Sequence, residues 1–332
     1  MMDWQQINEM IASSSRILLT SHENPDGDGL GSAVAMYHHL REKGKECRII
    51  NCSQLPEEYG FLNHDSIIEM YAAEEHDEWL RNCDLAIIFD VGAFRRLRGI
   101  KDAIDRYDIK TINIDHHPHP DDHPFTINVV DTNAAATGVM VYDYLKEYRE
   151  KPLTKNICEG IYTAVMTDTG SFRYSNTNAK CHEIAIESLN MGVETSKIYQ
   201  RVYETKPQSS IRLLARVIDN LTFESGGELA WFSIDQNMLD ASDASSKDVN
   251  GFTDFVRSIK GVEVAVMIFE NGSDVCRINF RSKGKYTIND VAIHFGGGGH
   301  KFAAGAVIEG NKETIIPQVI SETKASLERQ AA

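Results

Sequence analysis

The stretch that decides the fold runs from residue 16 to residue 45 and reads RILLTSHENPDGDGLGSAVAMYHHLREKGK. Its first six residues form an apolar run of strand length. From Asp28 to Lys43 apolar residues recur at helical spacing, and Gly44 supplies a stop signal. Between the two lies a turn dense in His, Asp and Gly. The stretch therefore predicts a strand, a polar turn and a helix, which together open an α/β domain.

The same alternation continues through the first half of the chain. Strand patterns occupy residues 47–51, 85–91 and 111–114, and helical patterns occupy residues 137–148, 154–166, 179–190 and 195–204. The strands that start at residues 16, 85 and 111 each run directly into a group of Asp, His or Gly. Ligands bind outside the carboxyl ends of strands in open α/β sheets, so we expect these groups to meet in one crevice of a mostly parallel sheet with helices on both faces.

A length of 332 residues predicts two domains. Residues 207–220 form a helical pattern that connects them, and Gly226-Gly227 signals a hairpin. Strand patterns then occupy residues 228–234, 262–269 and 275–281, followed by a short helix at 289–294 and a glycine loop. We expect an amino-terminal domain over residues 1–205, a linker helix over 206–222 and a smaller α/β domain over 223–332.

Composition and charge exclude several classes of protein. The formal charge of −15 opposes binding to long nucleic acid, since that affinity comes largely from Lys and Arg, so a long duplex is not an expected partner. No apolar run approaches the roughly 20 residues that span a bilayer, and no secretory signal precedes the first strand, so we expect no membrane partner and a cytoplasmic location. The six cysteines form no C-x-x-C pair, which argues against a zinc finger, a redox motif or a disulfide framework.

Four groups of acidic residues and histidines are candidate metal ligands. His22, Asp26 and Asp28 lie in the first turn, where the alternative is that an Asp caps the following helix. Asp90 ends the apolar strand LAIIFD, and its alternative is a turn with Gly92. Further along the chain are Asp115-His116-His117, where a surface pair is the alternative, and Asp168, where the alternative is helix termination. Each alternative is tolerable alone, but four such groups at element ends are harder to dismiss together.

Taken in order, these motifs resemble the DHH phosphoesterase superfamily. They are HENPDGDGLGS at 22–32, FDVG at 89–92, DHH at 115–117, TDTGSFRY at 167–174, and GGGGH with AAG within 296–305. The resemblance implies a centre of two divalent ions, most often Mn²⁺, with Mg²⁺ or Co²⁺ as alternatives. It assigns His22 and Asp26 to one ion, gives the other ion Asp28, His116 and Asp168, and makes Asp90 the bridge. Asp90, Asp28 and His117 are then the candidate catalytic residues.

The carboxy-terminal half resembles the DHHA1 domain, which implies a surface that recognises the substrate and faces the metal site. A glycine loop can bring backbone N–H groups close to phosphate oxygens, and an arginine can bind a phosphate through two nitrogens. The resemblance makes the following residues candidate substrate contacts: His117, Arg173, Arg281, Ser282, Gly297, Gly298, Gly299 and His300.

Within the superfamily, this domain pair most resembles the nano-RNases, which degrade very short RNA and dephosphorylate 3'-phosphoadenosine 5'-phosphate (pAp). A phosphodiesterase for cyclic di-AMP or its linear product is the alternative, because it shares the same motifs. RecJ-type exonucleases, exopolyphosphatases and pyrophosphatases fit less well, since they differ in their additional or second domain. A sensor without turnover is disfavoured because all six ligand positions are occupied. The oligomeric state, including a homodimer, stays open.

Overall fold

The structure is a computed structural model that describes residues 4–119, 123–270, 272 and 274–331. The chain divides into two compact units, one ending at Thr205 and the other beginning at Lys206. No helix in the described part of the chain is both long and apolar enough to cross a membrane.

The first unit is built on a parallel sheet that has six strands within the described residues. Its strands follow the order β3-β2-β1-β4-β5-β6 across the sheet. Their bounds are β1 Arg16–Ser21, β2 Glu46–Asn51, β3 Ile68–Met70, β4 Leu85–Phe89, β5 Lys110–Asp115 and β6 Ile127–Val130. The order reverses direction between β1 and β4, so the crevice for a ligand opens where these two neighbouring strands end.

Helices cover both faces of this sheet, which confirms the predicted architecture. In chain order they are α1 Gln5–Ser13, α2 Gly27–Glu42, α3 Ala73–Leu80, α4 Gly99–Tyr107, α5 Thr137–Tyr148, α6 Lys155–Asp168, α7 Ala179–Asn190 and α8 Thr195–Tyr203. Alternate residues of β1 point to opposite faces of the sheet. Ile17 and Leu19 pack in the core under α2, α5 and α6, and Leu18 packs in the core on the other face with α4. Burial on both sides explains why the strands are continuously apolar.

Helices α2 and α6 approach each other unusually closely. A Cβ on Gly31 would lie 2.2 Å from the carbonyl oxygen of Gly160, and a Cβ on Gly160 would lie 2.5 Å from that of Gly31. At one end of the same pair, a Cβ on Gly27 would lie 2.5 Å from Oγ1 of Thr167. The glycines therefore bring the first turn of α2 beside the last turn of α6.

We expect Gly31→Ala to destabilise the first unit by about 1–3 kcal/mol, because the added methyl group must push two packed backbones apart. Urea denaturation followed by circular dichroism measures the loss. Gly60→Ala is the matched control, since a Cβ at Gly60 meets nothing within 4 Å. Equal stability of the two variants would contradict the close packing of α2 and α6.

The second unit contains a mixed sheet with the strand order β11-β12-β10-β9-β8-β7 in its described part. Strands β8 and β9 pair in parallel, and the other pairs are antiparallel. Its elements are α9 Gln208–Asp219, β7 Thr222–Glu224, β8 Leu229–Ile234, α10 Gln236–Asp240, α11 Phe252–Arg257, β9 Val264–Glu270, β10 Val275–Ser282, α12 Asn289–His294, β11 Gly298–His300, β12 Ala303–Glu309 and α13 Lys312–Ala331.

Apolar cores lie on both faces of this second sheet. One face packs against α12 and α13, and the other packs against α9 and α11. Leu213 and Val217 of α9 are fully buried with Phe232, so the helix that the sequence placed between the domains contributes to the core of the second unit. Part of the predicted glycine loop is a strand, because Gly298, Gly299 and His300 form the edge strand β11.

Candidate metal centre

Three candidate ligands come from the turn between β1 and α2. His22 is buried, and its Nε2 lies 3.7 Å from Oδ2 of Asp26 and 3.6 Å from Oδ2 of Asp90. Asp26 also caps α2, because its Oδ1 accepts from the backbone N–H groups of Asp28 and Gly29. Asp26 therefore has both roles, because Oδ1 caps α2 while Oδ2 faces His22.

The orientation of His22 is set through its other ring nitrogen. Nδ1 lies 2.7 Å from the carbonyl oxygen of Glu23 and 2.9 Å from Nη2 of Arg96. In the tautomer in which Nδ1 donates to the carbonyl, Nε2 keeps its lone pair for a metal ion, and the Arg96 guanidinium packs beside Nδ1 without a hydrogen bond to it. Sequence analysis missed Arg96, because nothing in its local pattern places it beside a residue 74 positions earlier.

Asp90 lies at the centre of the site, directly after β4. The residue is buried and its backbone is left-handed, with φ +61°, a conformation that Asp and Asn adopt more readily than most side chains. Its Oδ2 faces His22, and its Oδ1 lies 3.6 Å from Nε2 of His116. The hydroxyl of Thr137 donates to the same Oδ1 at 3.3 Å. The two oxygens of Asp90 thus face two different imidazoles.

His116 is the second imidazole, and three carboxylates surround it. Its Nδ1 lies 3.2 Å from the carbonyl oxygen of Ala134, the geometry of an N–H donor, which turns Nε2 toward the carboxylates. Besides Asp90, Nε2 lies 3.6 Å from Oδ2 of Asp28 and 3.7 Å from Oδ2 of Asp168. Asp168 is the last residue of α6 and Asp28 belongs to the first turn of α2, so the close packing of these helices brings the pair together.

The amino terminus of α5 holds Asp28 in place. The backbone N–H of Thr137 donates to Oδ2 of Asp28 at 2.7 Å, and that of Gly138 donates to Oδ1 at 2.8 Å. These are N–H groups without partners inside the helix, and the helix dipole favours a negative charge beside them. Thr137 thereby orients both Asp28 and Asp90, a role that sequence analysis missed because the contact spans 109 residues.

The third residue of the DHH motif is held separately. His117 donates through Nδ1 to Oδ1 of Asp115 at 2.8 Å, and the same Nδ1 lies 3.2 Å from Oδ1 of Asp90. Asp115 is fully buried, and its Oδ2 also accepts from Nε2 of His119 at 2.6 Å. Asp115 therefore fixes the orientation of the His117 ring, which stays partly exposed at the crevice.

Burial and neighbouring charges shift the pKa values of three of these groups. Burial raises the pKa of Asp28 well above its ordinary value, and the carboxylates of Asp90 and Asp168 raise it further. Burial and Asp90 raise the pKa of Asp168 to about 7, although His116 opposes them. Burial lowers the pKa of His22, but the carboxylates of Asp26 and Asp90 outweigh it and raise that pKa to about 9. The pocket attracts positive charge.

The donor set fits divalent cations. His22, Asp26 and Asp90 form one group whose ligand atoms lie within 4.8 Å of one another, and Asp28, Asp90 and His116 form a second. Carboxylate and imidazole donors suit Mn²⁺, Mg²⁺ and related ions better than metals that thiolates select, and no cysteine of the described chain joins either group. Because Asp90 is common to both groups, the residues could hold two neighbouring ions.

The remaining predicted residues are Arg173 in the first unit and a set in the second unit. Arg173 follows Asp168 in the chain, and its Nε donates to the carbonyl of Gly170. In the second unit, Arg281 is half-buried and lies 3.4 Å from Oδ2 of Asp254. Its neighbour Ser282 is buried on the opposite side of β10, where its hydroxyl donates to the carbonyl of Tyr286. The structure therefore does not bring Ser282 onto the face that carries Arg281.

Close strand packing requires two glycines of the run at residues 296–299. A Cβ on Gly297 would lie 2.1 Å from the carbonyl of Gly305, and a Cβ on Gly299 would lie 2.6 Å from that of Ala303. Gly298 pairs with Gly305, and His300 pairs with Ala303. The approach of β11 to β12 thus explains Gly297 and Gly299, whereas a Cβ at Gly298 would meet nothing within 4 Å. Contact of the N–H groups of this run with phosphate stays a prediction.

Comparisons with known proteins agree with this organisation. Residues 16–165 match the family model described as "DHH family, N-terminal domain", and residues 232–327 match the "DHHA1 domain". The chain is 29% identical to the bifunctional oligoribonuclease and PAP phosphatase NrnA of Thermus thermophilus, covering 89% of this chain and 84% of that protein. It is also 29% identical to the protein of that name in Bacillus subtilis, covering 88% and 89%.

One solved structure is similar over nearly its whole length. It is that of an exopolyphosphatase-related protein from Bacteroides fragilis, with 27% identity and a TM-score of 0.87. The match covers 98% of this chain and 95% of the other. This near-complete match agrees with the order of the two family domains, in which the DHH domain precedes the DHHA1 domain.

Proposed function

The chain belongs to the DHH phosphoesterases that carry a DHHA1 domain, and on this premise we propose that it hydrolyses short oligoribonucleotides and pAp with the help of two divalent ions. It is a hydrolase that acts on phosphate esters. The observation that supports the two-ion site is Asp90, since one of its carboxylate oxygens lies 3.6 Å from His22 and the other lies 3.6 Å from His116.

The proposal gives each side chain a role. His22 and Asp26 would hold one ion, Asp28, His116 and Asp168 would hold the other, and Asp90 would contact both, with Mn²⁺ as the expected metal. When bound, two such ions lower the pKa of an attacking water and stabilise the charge that develops on the phosphate. The protein fixes the donors beforehand: the first turn of α5 holds Asp28, and the left-handed backbone aims Asp90.

His117 is proposed to act on the substrate. Burial lowers the pKa of His117, but hydrogen bonds to Asp115 and Asp90 outweigh burial and raise that pKa to about 11. Asp115 takes up Nδ1, which leaves Nε2 as the nitrogen that would meet the substrate. A charged imidazole in this position can bind a phosphate oxygen and donate a proton to the leaving group.

Short nucleotides are favoured as substrates for two reasons. The curated relatives named above cover most of this chain, and their names state oligoribonuclease and PAP phosphatase activity. The net charge of −15 disfavours long single strands, which need a dense array of Lys and Arg. The name of the Bacteroides relative makes polyphosphate a substrate that must be compared directly.

Initial rates with Mn²⁺ test the substrate class. The substrates are pAp, 5'-phosphorylated RNA of two to five nucleotides, a 24-mer, cyclic di-AMP and polyphosphate. We expect kcat/KM to be highest for pAp and the short RNAs. Equal kcat/KM for the dinucleotide and the 24-mer, or preferential cleavage of polyphosphate or cyclic di-AMP, would contradict the proposal and identify the alternative that holds.

We expect Arg281→Ala and His300→Ala each to lower kcat/KM for pAp about ten- to a hundredfold, the effect of losing a charge-assisted phosphate contact worth about 1.5–3 kcal/mol. Metal content should stay unchanged, since the proposed ligands all belong to the first unit. Asp254 keeps Arg257 as an ion-pair partner at 3.2 Å when Arg281 is removed, so the fold should persist.

The matched control is Arg212→Ala on the exposed side of α9, which should leave kcat/KM unchanged. Hydrolysis of p-nitrophenyl phosphate, which has no second phosphate or base, should suffer less than hydrolysis of pAp. Normal pAp cleavage by both variants, or loss of metal from them, would contradict a separate substrate surface on the second unit.

A further inference from the structure

Strand β10 presents two chemically different faces. Cys276, Ile278 and Phe280 are fully buried in the core that includes α12 and α13. The alternating residues Arg277, Asn279 and Arg281 point to the other side, where Arg277 is exposed and the other two are half-buried. Two basic side chains and one amide therefore stand in a row along a single strand.

On the neighbouring strand, two small residues and then the exposed Val307 flank this row. Arg281 lies opposite Ala303, Asn279 opposite Gly305, and Arg277 opposite Val307. A Cβ at Gly305 would lie only 2.9 Å from a backbone carbonyl and 3.4 Å from Oδ1 of Asn279. Since Gly305 has no side chain, nothing projects from the sheet beside Asn279, and a flat group such as a sugar or a base can approach the backbone there.

The charges along the row suit phosphates. The guanidinium of Arg277 lies 5.3 Å from the ring centroid of Phe269, and no carboxylate among the described residues shifts its pKa. Arg281 lies 3.4 Å from Asp254, which a bound phosphate would have to replace as its partner. Arg277 and Arg281 are four residues apart, or about 14 Å on an extended strand, too far for one phosphate to bridge. The next exposed side chain beyond Arg277 is Glu309, which lies opposite Val275 and carries the opposite charge.

We propose that Arg281, Asn279 and Arg277 form a track for a short RNA strand, in which the two arginines bind phosphates at different positions along the strand and Glu309 disfavours a longer one. Arginine matches phosphate through its paired N–H groups, and the Asn279 amide can donate to and accept from a ribose 2'-hydroxyl. The inference rests on the proposed function and adds to it a structural basis for substrate length.

Arg277→Gln is the first test, because glutamine keeps most of the aliphatic stem over Phe269 and loses the charge. We expect kcat/KM to fall about tenfold or more for RNAs of three to five nucleotides, as the loss of one charged contact implies, and to change less than about twofold for pAp. Arg212→Gln on α9 is the matched control and should change neither value.

A loss that is the same for pAp and for the pentanucleotide, or no loss at any length, would overturn the track. If the wild-type protein cleaves none of the RNAs, the proposed function has failed, and that result is visible before any variant is compared. The ratio between variant and wild type thus separates the two claims.

Glu309→Lys tests the length limit in the opposite direction. We expect this variant to raise kcat/KM for a 12-mer about five- to tenfold relative to the dinucleotide, since a cation replaces the repelling carboxylate. Glu328→Lys is the control with the same charge change on α13, which packs against the other face of the sheet. Equal gains in the two variants would show a general charge effect and would overturn the role of Glu309.

Discussion

Asp90→Asn is expected to lower kcat for pAp and for RNA dinucleotides on the order of a thousandfold or more, the range seen when one member of a catalytic unit is removed. The carboxylate of Asp90 belongs to both groups of candidate ligands, so removing its negative charge should weaken both proposed ion sites. The fold should persist because asparagine has the same shape and accepts the left-handed backbone of this position.

The measurement combines kinetics with metal content and thermal unfolding. A metal that binds the folded state stabilises it, so Mn²⁺ is expected to raise the Tm of the wild-type protein and to raise that of the variant much less. Asp108→Asn is the matched control, because Asp108 also has a left-handed backbone, with φ +51°, and lies at the end of α4. A variant at Asp90 that retains two ions per chain and near-normal turnover would show that Asp90 is not the bridge.

His117→Ala is expected to lower kcat about 10²- to 10⁴-fold for pAp, the usual contribution of a positioned proton donor. The metal ligands stay in place in this variant, so metal content should match that of the wild type. Because p-nitrophenolate leaves without needing a proton, the loss for p-nitrophenyl phosphate should be clearly smaller than the loss for pAp.

His64→Ala is the control for His117, since His64 is an exposed histidine of the same unit that pairs with Glu159 at 3.0 Å. It should change neither rate. Equal losses on both substrates would restrict His117 to a phosphate contact, and an unchanged rate on pAp would remove it from the reaction.

Much of the fold is readable from local pattern. The helices predicted at residues 137–148 and 179–190 are observed as α5 and α7, because their apolar residues recur at helical spacing over three turns. The final helix α13 and the edge strand β11 were not predicted. In β11 the sequence is a glycine run, and only its pairing with β12 gives it strand structure.

The sequence predicted which acidic and histidine side chains the structure brings together, and their binding of metal stays a prediction. These candidates follow strands or end helices, and the neighbouring parallel strands β1 and β4 bring His22 and Asp90 together. The alternatives that the sequence left open proved compatible with the site, since Asp26 caps α2 with one oxygen and faces His22 with the other.

The residues that were missed act over long distances in sequence. Thr137 reaches Asp28 and Asp90 because α5 starts at the edge of the crevice, and Arg96 reaches His22 from the turn after β4. The left-handed backbone of Asp90 likewise depends on the packing around it and has no signal in the residues LAIIFD. Such contacts follow from tertiary structure, which local periodicity does not encode.

The central claim, a two-ion site that serves phosphate-ester hydrolysis, is tested most directly by titrating Mn²⁺ into metal-free protein while following cleavage of an RNA dinucleotide. We expect activity to rise with added metal and to reach its plateau at two ions per chain. A plateau at one ion per chain, or full activity without added divalent metal, would contradict it.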